Sequence, residues 1–166
     1  IPCRLEATRF PGKPLTPIHG TAMVEWVYRH ARQVSSIDRL VVATDSPRIM
    51  GYVKDFGGEV LMTSAECQSG TDRAYETSRI LSQQGDNYDL VINIQGDEPA
   101  MHPSVIEQVI DMATQNKTFD IITAACSFER SVDIFNHNMV KVIIDNARRA
   151  LYFSRSPIPF IRGNQP

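Results

Sequence analysis

Short apolar runs alternate along this chain with stretches whose apolar residues recur every three or four positions. Leu40–Thr44 and Leu90–Ile94 are continuous enough to read as strands buried on both faces, the pattern of central parallel strands. Val24, Val27, Tyr28 and Ala31 mark one helix, and Ile49, Met50 and Val53 mark a second, which Gly57-Gly58 ends. Val60–Met62 predicts a short strand, Asp72–Leu81 a helix, and Pro103–Ala113 another helix with proline in its first turn. Ile121–Ala125 is again strand-like. Val140–Ile144 and Ala150–Phe153 flank Asp145-Asn146, turn chemistry that predicts an antiparallel pair.

Strands alternating with helices predict an α/β fold in three layers with a mixed, mostly parallel sheet. In such sheets the ligand crevice lies at the carboxyl ends of the strands, so function belongs in the loops that follow them. The 166 residues suit one domain spanning 1–166. The chain opens at Ile1-Pro2 and closes on Gly163-Asn164-Gln165-Pro166, so it is expected to lack the start of its first strand and a C-terminal region.

Composition narrows the partners. With 42% hydrophobic and 22% charged residues the chain has the balance of a soluble globular protein. A net charge of -2 offers no broad positive field for a nucleic-acid backbone, which argues against that partner. No apolar stretch approaches the ~20 residues of a membrane span and no signal pattern opens the chain, so no membrane partner and a cytoplasmic location are expected. Cys3, Cys67 and Cys126 are odd in number and widely spaced, and read as reduced thiols. His19, His30, His102 and His137 show no metal-ligand spacing.

Two segments carry chemistry. In the first, Ile1 to Leu15, the cations Arg4, Arg9 and Lys13 fall within ten residues, and Pro11-Gly12 and Pro14 shape the path between and after them. If the loop folds back, these groups converge as a triphosphate requires, arginine gripping two oxygens and lysine acting as a point charge. Otherwise they are a solvated basic loop. Neither GxxxxGK[ST] nor GxGxxG is present, so a phosphate site here uses another loop design. In the second segment the apolar Val91–Ile94 runs into Gln95-Gly96-Asp97-Glu98-Pro99. A carboxylate at such a strand end can hold magnesium, which keeps several waters and shares itself between one or two carboxylates and substrate phosphates. Asp97 is the better candidate, since Glu98 beside Pro99 can simply shape the turn.

Gln68 to Arg73 precedes a helical pattern. Ser69 or Thr71 can cap that helix, and a helix start also presents amide donors to a nucleotide. Asp45 or Ser46 before Pro47 reads as another cap. There is no GxSxG, and no base partners a cysteine, so transfer without a covalent protein nucleophile fits better than covalent catalysis.

In combination, Pro2-Cys3-Arg4 through Arg9-Phe10-Pro11-Gly12-Lys13-Pro14-Leu15, Val42–Asp45, Gly57–Val60, Met62-Thr63, Gln68–Arg73, Asn93–Pro99 and Ala150–Arg155 resemble, in order, the family of 3-deoxy-manno-octulosonate cytidylyltransferases, the CMP-Kdo synthetases. The resemblance covers nearly the whole chain and implies a nucleotidyltransferase fold related to nucleotide-diphospho-sugar transferases. It implies that CMP passes from CTP to the anomeric hydroxyl of Kdo, giving CMP-Kdo and pyrophosphate for lipopolysaccharide synthesis with Mg2+ as cofactor. Carried over by position, Arg4 and Lys13 are expected to hold the triphosphate, Ser69 and Gly70 the nucleotide, Asp97 the metal, and Arg9, Gln95 and Arg155 the sugar side. A homodimer is expected at full length. The family's further metal-completing acid, other Kdo ligands and much of the dimer surface fall beyond the last residue here, and Cys3 stands where alanine is usual. The alternatives are a cytidylyltransferase for another acidic sugar, 8-amino-Kdo or a sialic acid, and an inactive nucleotide-binding fragment.

Overall fold

The computed structural model describes residues 1–6, 10–160 and 162–163. These form two compact units, Ile1–Ile122 and Thr123–Pro166.

In the first unit β1 (Pro2–Cys3) leads through a loop to the two-residue strands β2 (Pro17–Ile18) and β3 (Thr21–Ala22), then α1 (Met23–Ala31), β4 (Val42–Thr44), α2 (Pro47–Asp55), β5 (Val60–Met62), α3 (Gly70–Gln83) and α4 (Pro103–Gln115). Strands β1, β4 and β5 form one parallel sheet with β4 in the middle, pairing Pro2 with Ala43 and Val42 with Val60. Helix α2 packs against β4 and β5, and α3 packs against β1 and β4. The central strand is sequestered because both faces are covered, and its Val-Ala-Thr sequence suits such a position. The core joins Val42 to Val24, Val27, Ile49, Val53, Ile106 and Ile110.

Local chemistry sets where the helices begin. Ser46 caps α2, its Oγ accepting from the Ile49 amide, and Pro47 occupies the first turn. The helix stops before Gly57, whose φ of 80° turns the chain toward β5. At α3, Ser69 and Asp72 form a reciprocal capping box: Asp72 N donates to Ser69 Oγ at 3.1 Å, and Ser69 N donates to Asp72 Oδ2 at 2.9 Å. The helix accordingly starts at Gly70, two residues before the expected Asp72.

Two expected strands are not formed. Leu90–Ile94 and Ile121–Ala125 carry no strand pairing among the described residues. Ile94 is buried and Ile92 packs partly buried on the core while Leu90 and Val91 are 40% and 52% exposed, so only the end of that run reaches the core. Ile121 is 87% exposed. An apolar run reports burial and not the neighbour that would complete a ladder.

The second unit holds the antiparallel pair β6 (Lys141–Ile144) and β7 (Ala150–Ser154) as a sheet of its own, so the parallel and antiparallel pairings sit in separate sheets. Asp145 organises the connection, its Oδ1 accepting from the Ala147 and Arg149 amides at 2.9 Å. Those amides, with the Arg149 side chain, hold the Asp145 carboxyl below the usual range.

Candidate functional site

The basic loop folds back as the convergence of its cations requires. The Gly12 amide donates to Leu5 O at 2.8 Å and closes the loop. Gly12 itself sits at φ 74°, a left-handed conformation that glycine adopts without strain, and it starts a single 3-10 turn over Lys13–Leu15 with Pro14 buried beneath it. That turn presents the Lys13 ammonium to Asp97, Nζ to Oδ2 at 2.8 Å.

Lys13 and Asp97 meet in the wall of a cavity of about 600 Å³ that Arg4, Ser69, Gly70 and Gln95 also line. The cavity lies at the carboxyl end of β1, bounded by the start of α3 and the Gln95-Gly96-Asp97 turn. Of the other proposed site residues, Arg9 lies outside the described residues. Arg155 belongs to the second unit, where its Nη1 donates to His137 O at 3.1 Å.

Close packing fixes the distance between the two halves of this cavity. A Cβ placed on Gly96 would lie 2.5 Å from Cys3 Sγ and 2.9 Å from Pro2 O, and one on Gly70 would lie 3.2 Å from Pro2 Cγ. Only hydrogen at position 96 lets the Asp97 turn approach β1 so closely, and position 70 leaves a side chain little room.

Charge is distributed unevenly. Arg4 is exposed and forms no ion pair among the described residues, whereas Lys13 and Asp97 neutralise one another. Arg73, which also lines the cavity, is buried and bound: Nη2 donates to Asp45 at 2.7 Å and Nη1 to Thr63 Oγ1 at 2.5 Å. This guanidinium ties the residues following β4 and β5 to the first turn of α3. Sequence reasoning gave Arg73 no role because its partners lie at the ends of two different strands. Asp45, read as a helix cap, is committed to Arg73, and Ser46 does the capping.

The thiols near the cavity are held in their protonated form. Burial pushes Cys3 up to about 12. Cys67 rises to about 11 through burial and then through its hydrogen bond to Glu76 Oε2 at 2.8 Å. Its donated hydrogen bond in turn holds the Glu76 carboxyl low, aided by the Ser64 amide.

For magnesium the donor set is one accessible carboxylate, Asp97, and no group of three His, Cys, Asp or Glu side chains converges among the described residues. That suits an ion that arrives on phosphate oxygens and keeps part of its water shell, not one held in a protein cage. Ser69 spends its hydroxyl proton on Asp72 Oδ2 at 2.8 Å and one lone pair on the Asp72 amide, leaving one lone pair free to accept from a ligand.

The chain is similar to known proteins of one family. Residues 1–165 match the family model for cytidylyltransferases. The 3-deoxy-manno-octulosonate cytidylyltransferase of Syntrophobacter fumaroxidans is 46% identical over 162 residues, 98% of this chain and 64% of that protein. The 8-amino-3,8-dideoxy-manno-octulosonate cytidylyltransferase of Shewanella sp. (strain W3-18-1) is 45% identical over 166 residues, 99% of this chain and 67% of that protein. The chain thus spans about two thirds of the length of these curated relatives. Among solved structures, CMP:2-keto-3-deoxy-manno-octonic acid synthetase complexed with CTP superposes with a TM-score of 0.82 at 35% identity, covering 97% of this chain and 64% of that one. The expected α/β nucleotidyltransferase fold is therefore correct, and the family match across 1–165 shows that this chain belongs to the cytidylyltransferases.

Proposed function

We propose that this chain supplies the nucleotide site of an enzyme that transfers CMP from CTP to the anomeric hydroxyl of Kdo. The observation that carries the reading is the meeting of Lys13 and Asp97 at 2.8 Å inside a cavity that also holds the unpaired Arg4. A metal-bound triphosphate needs cations and one carboxylate within a few ångströms of each other, and this cavity pairs them beside the carboxyl end of β1.

In this scheme Arg4 and Lys13 bind the phosphate oxygens, with Lys13 exchanging Asp97 for the incoming anion. Asp97, released from Lys13, is the residue that holds Mg2+, which when bound supplies positive charge at the phosphates. The lone pair left on Ser69 Oγ accepts from a donor on the nucleotide, and Gly70 leaves room beside it. The sugar hydroxyl oxygen forms the new bond to the α phosphorus and gives up its proton to solvent as the bond from the α phosphorus to the bridging oxygen breaks and pyrophosphate leaves. Alignment and fixed charge dominate such a transfer, so the rigid spacing of β1, Gly70 and Gly96 matters as much as the charged groups. Sugar-side roles belong to the same reading for Arg9 and Gln95 and, within the second unit, for Arg155. Membership of lipopolysaccharide synthesis, a cytoplasmic setting and a homodimer belong to the same reading. No helix among the described residues is long and apolar enough to cross a membrane.

A coupled pyrophosphate assay with CTP, Mg2+ and Kdo tests the proposal. Asp97→Ala is expected to reduce turnover by about 10²- to 10³-fold, the typical loss of one charge stabiliser, with unchanged thermal unfolding. Near-normal turnover by the folded variant refutes the assignment. The Shewanella relative favours a second sugar, 8-amino-Kdo, and running the assay with each sugar separates the two.

A further inference from the structure

We infer that Lys141 is a positioning residue for the acidic sugar, acting through Arg155. The inference rests on the proposed sugar-side role of Arg155 and extends it to a residue in the neighbouring strand. Lys141 is 2% exposed. Its ammonium donates to three main-chain carbonyls, Asn136 O and Met139 O at 2.9 Å and Arg155 O at 2.6 Å. An ammonium has three N–H donors, so all are used.

A buried lysine is unusual unless its charge is compensated, and here carbonyl dipoles from two separate segments do so. The same two segments are joined a second time in the opposite sense. Arg155 Nη1 donates to His137 O at 3.1 Å, within the loop whose carbonyls Lys141 gathers. That loop is also turned by its own bonds, Met139 N to Asn136 O at 3.1 Å and Asn138 N to Asn136 Oδ1 at 2.9 Å. The Arg155 main chain is therefore pinned by Lys141 and its Nη1 by the loop. Its remaining guanidinium N–H groups meet no acid among the described residues. An exposed guanidinium anchored at one nitrogen and open at the others can receive a carboxylate as a fork, and its aim depends on the Lys141 knot.

The experiment compares Lys141→Met, Lys141→Arg and Arg155→Met with the parent chain. Steady-state kinetics with CTP and Kdo are read beside amide hydrogen exchange over residues 136–139 and 153–156. Lys141→Met is expected to speed exchange in both segments and to raise KM for Kdo by about tenfold, near the worth of one charge-assisted hydrogen bond, with KM for CTP unchanged. Ammonium or methylammonium in the buffer should partly reverse both effects, because the three carbonyls still converge on one point. Lys141→Arg keeps the charge but cannot aim three N–H groups at that point, so it should show a smaller loss, and it serves if the methionine variant does not fold.

Unchanged exchange in these segments, or equal changes in the two KM values, overturns the inference. So does an unchanged KM for Kdo in Lys141→Met when Arg155→Met raises it. If Arg155→Met itself leaves KM for Kdo unaltered, the sugar-side reading of Arg155 fails. A parent chain without turnover counts against the transferase reading, while exchange and its reversal by ammonium still decide whether Lys141 orders the loop.

Discussion

Gly96 offers a sharp test of how the cavity is built. Adding a methyl group there places Cβ 2.5 Å from Cys3 Sγ and 2.9 Å from Pro2 O, both inside van der Waals contact. Neither obstacle can swing aside cheaply, since Cys3 is 4% exposed and Pro2 belongs to β1, which is paired with β4. Over-packing a tight interior typically costs 1–3 kcal/mol, and two simultaneous contacts put Gly96→Ala near the top of that range, about 3 kcal/mol. Cys3→Ala alone should cost about 1 kcal/mol through lost burial. Combined with Gly96→Ala it removes the sulfur clash but leaves the carbonyl clash. The double variant should therefore be more stable than the sum of the single effects by about 1–2 kcal/mol, yet remain below Cys3→Ala. Urea unfolding followed by circular dichroism measures all four corners of the cycle. Gly96→Ala within about 0.5 kcal/mol of the parent, the range of an ordinary surface change, would refute the packing argument. So would zero coupling between the two positions.

Arg73→Met leaves Asp45 and Thr63 without their buried donor and should destabilise the protein by about 3 kcal/mol; Asp45→Asn in the same background should then add little, and strict additivity in urea melts would contradict the clamp. For the thiols, values of about 11 for Cys67 and about 12 for Cys3 leave roughly one part in a thousand and one in ten thousand as thiolate at pH 8, so iodoacetamide should reach exposed Cys126 first. Raising the pH toward 11 should speed Cys67 before Cys3, and Glu76→Gln should speed Cys67 further by removing the carboxylate that holds its proton. Mass spectrometry of the folded protein showing Cys3 labelled as fast as Cys126 would be the contrary result.

Much of this was legible because local signals agreed. The helices followed from apolar spacing joined to Ser46-Pro47, a cap at Ser69 or Thr71, and Pro103, and the β6–β7 pair from apolar runs around Asp145-Asn146. The β2–β3 hairpin escaped notice because its turn uses His19-Gly20 at φ 50° and 85°, and histidine is not the asparagine or aspartate that usually announces such a turn. Leu90–Ile94 was misread because strand pairing is a property of two segments, and one segment's apolarity cannot name the other. Within the cavity, Arg4 and Lys13 were readable as loop cations and Asp97 as an acid closing an apolar run, although that run forms no strand pairing among the described residues. Arg73 was not, because its clamp exists only once the residues after β4 and β5 are side by side.

The Lys13–Asp97 pair also bears on how strongly dissolved salt should influence ligand capture. A free surface lysine surrounds itself with mobile anions, and a polyanion that displaces them gains from their dilution, which is why such binding weakens steeply in concentrated buffer. Lys13 instead carries a counter-ion that is covalently part of the same chain and cannot diffuse away. Swapping that tethered partner for a phosphate liberates nothing into solution from this position. Arg4, which has no such companion among the described residues, contributes the usual ionic-strength penalty.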